Sequence, residues 1–87
     1  MYEVRLKRSV EKFLSEQTLK LRRQLVKKIS SLAENPSPPG SKKLDDNIYR
    51  IRSGSYRIIY QVKQSQLLVL VVKVGHRQGI YKHSDFQ

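Results

Sequence analysis

The sequence predicts an α+β domain in which two N-terminal helices pack on a mainly antiparallel four-stranded sheet, in the order β-α-α-β-β-β. Three patterns carry that expectation. A period-two alternation opens the chain, a helical periodicity follows it, and three β-rich runs come after a proline-containing loop. The 87 residues suffice for one modest core and are taken as a single domain, 1–87.

Tyr2, Val4 and Leu6 alternate with Glu3, Arg5 and Lys7, as in a half-buried strand. Ser9 is placed to cap a short helix in which Val10, Phe13, Leu14 and Gln17 recur at helical spacing. From Thr18, a second helix shows an apolar stripe of Leu21, Leu25, Ile29 and Leu32, widened by Leu19, Val26 and Ala33. Arg22 falls beside that stripe, its stem expected along the core edge and its head in water. Asn35-Pro36 stops the helix, because proline cannot continue the hydrogen-bond ladder and restricts the residue before it.

Beyond the loop at 36–40, Lys42, Lys43 and Leu44 lead the chain back to the core. Ile48 to Arg52, Tyr56 to Val62 and Leu67 to Val74 then read as an antiparallel meander. The last run is apolar on both pleat faces, which places it inside the sheet with cover on both sides.

Eighteen Lys and Arg against seven Asp and Glu give a net charge of +11, so a polyanion is the natural partner: nucleic acid, or an acidic protein. Charge alone does not separate an enzyme from an RNA-assembly protein. The absence of cysteine excludes disulfides, thiolate metal sites and cysteine nucleophiles. The longest apolar run, Leu67 to Val72, is far short of the roughly 18 residues of a membrane span, and the expected location is the cytoplasm.

The chemistry concentrates in the segment Tyr49 to Tyr60. With Gly54-Ser55 as a two-residue turn, Arg52 faces Arg57 across the hairpin and Arg50 lies two residues back on the same face. Tyr49, Ile51, Ile58 and Tyr60 occupy the other face, so burial and turn set the same register. Like charges directly opposite each other are destabilising. Two explanations fit the cluster: the arginines splay into solvent, or they wait for an anion.

Gly75 allows a sharp turn after the last strand, delivering His76 and Arg77 toward the hairpin with Tyr81 one turn further on. A lone histidine is more often structural than catalytic, and zinc is disfavoured because His83 is the only other histidine. No metal or small-molecule cofactor is expected.

The strings Ile48-Tyr-Arg-Ile-Arg52, Ser55-Tyr-Arg-Ile-Ile-Tyr60 and Val72-Lys-Val-Gly-His-Arg77, with Ile80-Tyr81 behind them, resemble the signature of RelE-type toxins of the RelE/ParE superfamily. The element order extends the likeness over nearly the whole chain. The resemblance implies a toxin neutralised by a co-expressed acidic antitoxin, a ribosome-dependent endoribonuclease that cuts mRNA in the decoding site. Position by position, it assigns Arg50, Arg52, Arg57, Arg77 and Tyr81 to the active site. Arginine stands where the family often has lysine at the first two positions, and arginine stays protonated, so it is a poor general base.

Such cleavage needs a ribose 2′-hydroxyl aligned with the adjacent phosphorus, stabilisation of the extra negative charge, and proton management. Arg57 and Arg77 are expected on the developing phosphorane oxygens, Arg50 and Arg52 on the scissile and neighbouring phosphates, and Tyr81 against a base. His76 is the candidate proton carrier, with His83 a second and Phe86 a further stacking side chain. Lys20, Arg23, Lys27 and Lys28 form the basic face of the second helix, suited to ribosomal RNA and equally to plain solvation.

Three rivals stay open. A ParE-like gyrase poison shares the fold but needs no phosphate-handling cluster; a non-enzymatic RNA-binding module would hold RNA and leave it intact; an inactive toxin would account for the two arginine-for-lysine departures.

Overall fold

The computed structural model describes residues 1–76. Its elements are β1 (Glu3–Leu6), α1 (Arg8–Ser15), α2 (Leu19–Ser31), β2 (Lys42–Asp45), β3 (Ile48–Ser53), β4 (Tyr56–Lys63) and β5 (Leu68–His76), with a 3₁₀ turn at Gln64–Gln66. The sheet has five strands in the order β1-β5-β4-β3-β2. β1 runs parallel to β5 and every other pairing is antiparallel.

The α+β class, the two helices and the mainly antiparallel sheet agree with the sequence. The strand count does not. The fifth strand is β2, whose Lys-Lys-Leu-Asp sequence has one apolar residue and no alternation to betray it. Backbone pairing holds it, with Lys42 opposite Arg50 and Lys43 opposite Tyr49, and Asn47 in the left-handed region (φ 60°) turns the chain into β3.

The core lies between the helices and one sheet face. Val10 and Leu14 of α1 and Leu25 and Ile29 of α2, with Leu32 just beyond it, bury against Ile51, Ile58, Tyr60, Val62, Val69, Val71 and Val74. Leu19 and Val26, expected to widen the stripe, are instead 54% and 42% exposed. β5 is interior, between β1 and β4, as its apolar character required. On its second face the described residues form a smaller cluster of Ile48, Ile59, Leu44 and Val72, with no residue of α1 or α2 in it.

Local capping differs from expectation at three points. Ser9 does not cap α1; the helix starts after Lys7, whose carbonyl accepts from the N–H groups of Val10 and Glu11. Thr18 does cap α2, its Oγ1 accepting from Leu21 N–H at 3.3 Å. That helix ends at Ser31, before Asn35-Pro36, and the Ala33 carbonyl accepts from Tyr2 N–H at 2.7 Å, tying the helix exit to the start of the chain.

Arg22 is the third point. Its head is not in water: Nε donates to Leu14 O at 2.9 Å and Nη2 to Ser15 O and Gln17 O, both at 3.1 Å. The guanidinium thereby bonds carbonyls at and just beyond the end of α1, where a cation also suits the helix dipole. Periodicity cannot reveal this, because the partner carbonyls belong to another helix.

Candidate active site

The β3–β4 hairpin has the register its sequence dictates. Ser53 pairs with Tyr56 around Gly54-Ser55, Arg52 with Arg57, Ile51 with Ile58, Arg50 with Ile59 and Tyr49 with Tyr60. Gly54 supplies the positive φ of 60° that a tight hairpin turn demands. Burial enforces the same alignment, since Ile51, Ile58 and Tyr60 lie in the main core and a one-residue slip would exchange them for arginines.

Arg50, Arg52 and Arg57 therefore share the face opposite α1 and α2, which bears no helix among the described residues. Arg52 is exposed, while Arg50 and Arg57 are half-buried. The Arg57 Nε is fully shielded from solvent and has no hydrogen-bond partner among the described residues. A shielded donor of this kind is costly unless an acceptor meets it, which suits a face completed by an anion. An ion pair of Arg5 Nε with Glu3 at 2.8 Å lies on β1, away from this hairpin.

Two cations of this face were not singled out from the sequence. Lys42 on β2 stands opposite Arg50, Arg50 opposite Ile59, and Ile59 opposite Lys73 on β5, forming one row across four strands. Lys73 reaches this row through an irregularity between Ile59 and Tyr60, where Val72 is skipped in the pairing. The available signal was a charge inside the apolar run Val71-Val72-Lys73-Val74. The bulge that decides its face has no sequence mark of its own.

His76 reaches the hairpin but not the arginine face. It pairs with Tyr56, and the rings meet edge-on at a centroid distance of 5.6 Å, with Phe13 tilted against the far side of Tyr56 at 6.2 Å. Directly opposite Arg57 stands Gly75, which has no side chain to fill the space above it. Arg77, Ile80, Tyr81, His83 and Phe86 lie outside the described residues. Among those described, no three His, Cys, Asp or Glu side chains gather into a metal-binding group.

On α2, Lys20, Arg23 and Lys27 are exposed and Lys28 is half-buried. A shallow groove lined by Gln24, Lys27, Lys28, Ser31 and Ser53 joins this basic helix face to the hairpin tip. The other end of the hairpin is anchored by Tyr60, whose hydroxyl donates to Pro36 O at 2.6 Å and whose ring stacks on Tyr49. Burial pushes the Tyr60 hydroxyl up to about 12.

Residues 4–81 match the family described as ParE toxin of type II toxin-antitoxin system, parDE. The mRNA interferase toxin RelE of Escherichia coli K12 is 34% identical over 68 residues, spanning 75% of this chain and 72% of that one. The crystal structure of the isolated E. coli RelE toxin superposes with a TM-score of 0.78 at 25% identity, covering 97% of this chain and 90% of the other. RelE in the intact E. coli RelBE toxin-antitoxin complex gives a TM-score of 0.75 at 28% identity, covering 87% of this chain and 96% of that one.

Proposed function

Because the chain belongs to the RelE/ParE superfamily of type II toxin-antitoxin toxins, we propose that it is an mRNA interferase that cuts message on the ribosome. The observation that carries this reading is the sheet face opposite α1 and α2 on which Arg50, Arg52 and Arg57 converge, with the Arg57 Nε shielded and awaiting an acceptor. A guanidinium offers its donors in a planar fork that fits two oxygens of one phosphate.

In this reading the nucleophile is the ribose 2′-hydroxyl, which attacks the adjacent phosphorus and expels the 5′-oxygen. Arg57, joined by Arg77, holds the oxygens that gain charge as the phosphorane develops. Arg50 and Arg52 hold the scissile and neighbouring phosphates, and Tyr81 stacks on or orients a base. His76 is the proton carrier, acting from the strand end beside Tyr56 and not from among the arginines. An arginine-dominated site supplies charge stabilisation but little acid-base power, which fits an enzyme that relies on the ribosome to align its substrate. Lys20, Arg23, Lys27 and Lys28 then rest on ribosomal RNA, and the neutralising partner is an acidic antitoxin, as with RelE in the RelBE complex.

The family description favours a second reading, a ParE-like gyrase poison that cuts no RNA. Primer extension on a translating message in a purified translation system separates the two. The nuclease reading expects cuts within ribosome-occupied codons that vanish with Arg57→Ala and Arg77→Ala. Intact message, with gyrase-dependent breaks in plasmid DNA, would replace it with the gyrase reading.

A further inference from the structure

We infer that Gln24 is a positioning residue that holds the β3–β4 turn closed against the repulsion between Arg52 and Arg57. Its consequence for cleavage rests on the nuclease reading above, whereas its consequence for the turn does not.

Three observations converge on this side chain. Ser53, the buried polar residue of the described core at 5% exposure, accepts a hydrogen bond on its Oγ from Gln24 Nε2 at 3.2 Å. The next residue, Gly54, has φ 60°, and a Cβ there would come within 2.8 Å of the same Nε2. The Gln24 amide thus packs directly on the turn, and a larger residue at this position would have to displace it. Ser53 also belongs to the last pair of the ladder, Ser53 with Tyr56, immediately beyond the Arg52–Arg57 pair.

The turn needs such a tie. Two guanidinium groups opposite each other at the end of a ladder push the strands apart where backbone hydrogen bonds are fewest. The exposed face of α2 otherwise presents Lys20, Arg23, Lys27 and Lys28, any of which would add a cation beside Arg52. Gln24 is a neutral donor where the helix meets the hairpin tip, so it binds Ser53 without adding charge. A turn held this way keeps both arginines in place before the phosphate arrives, so their ordering is not charged against the reaction.

The direct test is amide hydrogen exchange over residues 52–57 at low and high salt, comparing the wild-type chain with Gln24→Leu, Gln24→Glu and Gln24→Leu/Arg52→Ala. Gln24→Leu is expected to exchange about tenfold faster at low salt, the difference shrinking as salt screens the arginine pair. Adding Arg52→Ala should abolish the difference, and Gln24→Glu, which can accept from the Ser53 hydroxyl, should restore slow exchange. Unchanged exchange in Gln24→Leu, or an acceleration indifferent to salt and to Arg52→Ala, would overturn the inference.

The cleavage assay runs beside it. Gln24→Leu should lower kcat on programmed ribosomes about tenfold with KM within about twofold, since misplacing a catalytic group slows the chemical step. If the exchange pattern holds while the wild-type chain cuts no message, the nuclease reading falls and the brace stands. If the wild type cuts and Gln24→Leu exchanges normally, the brace alone falls.

Discussion

On the helix side of the sheet, Ile51, Ile58, Tyr60, Val62, Val69 and Val71 are buried against Leu25, Ile29 and Leu32, whereas the positions between them on the other side hold Arg50, Arg52, Arg57 and Lys73. The same strands build both faces, and residue parity, shifted once by the irregularity at Val72, decides which face a side chain joins. One face satisfies every rule of packing. The other places like charges opposite each other and leaves the Arg57 Nε shielded without an acceptor. Beside the small apolar cluster of Ile48 and Ile59, these arginines do little for folding, so their arrangement is best explained by something they bind. Stability and chemistry should therefore separate cleanly by face, and each variant below either breaks that division or sharpens it.

The largest effect belongs to the packed face. Leu25 has no exposed surface, and Leu25→Ala should destabilise the fold by about 3 kcal/mol, read by urea titration, while the activity per folded molecule stays near wild type. A loss of specific activity larger than the loss of folded protein would break the division.

Tyr60 tests the packed face through pH. Its hydroxyl is raised from 10.0 to about 12 by burial, so the unfolded chain gives up this proton first. The associated stability is fully present below pH 10.0 and is lost as pH rises toward 12. Tyr60→Phe should remove that alkaline loss and also cost about 1–2 kcal/mol near neutral pH, because Pro36 O loses its donor. Melting temperatures recorded across the alkaline range check both signs.

The part of the account legible in the sequence was the part fixed by local chemistry. Alternation in β1, β3 and β4, the helical stripe of α2 and the Gly54-Ser55 turn were enough to group Arg50, Arg52 and Arg57 on one face, and the structure places them there. What escaped depends on distant partners. β2 is held by backbone pairing to β3, Arg22 by carbonyls of α1, and Lys73 by an irregularity in the β4–β5 register. His76 does reach the hairpin, but as the last residue of β5 and not beyond a turn at Gly75, and its face is set by its pairing with Tyr56, beyond the reach of a count along β5 interrupted by that irregularity.

The basic face of α2 should sharpen the comparison from outside the sheet. Lys20→Glu/Lys27→Glu is expected to weaken ribosome binding and to flatten its dependence on log salt by about 1 for each phosphate the helix ceases to neutralise. Unaltered binding would reduce this helix face to scaffold.

The smallest effect is the most diagnostic of the open face. Arg52→Ala should raise stability by about 0.2–1 kcal/mol, because it relieves a like-charged pair, and it should lower cleavage at the same time. A loss of stability would mean that the arginine face serves the fold after all.

The central claim, that the arginine face of the sheet performs the chemistry, is tested most directly by single-turnover cleavage of ribosome-bound message with the Arg57→Ala protein. The account predicts a rate at least about 100-fold below wild type from a protein that melts no lower than wild type does. Cleavage at the wild-type rate by the folded variant would contradict it.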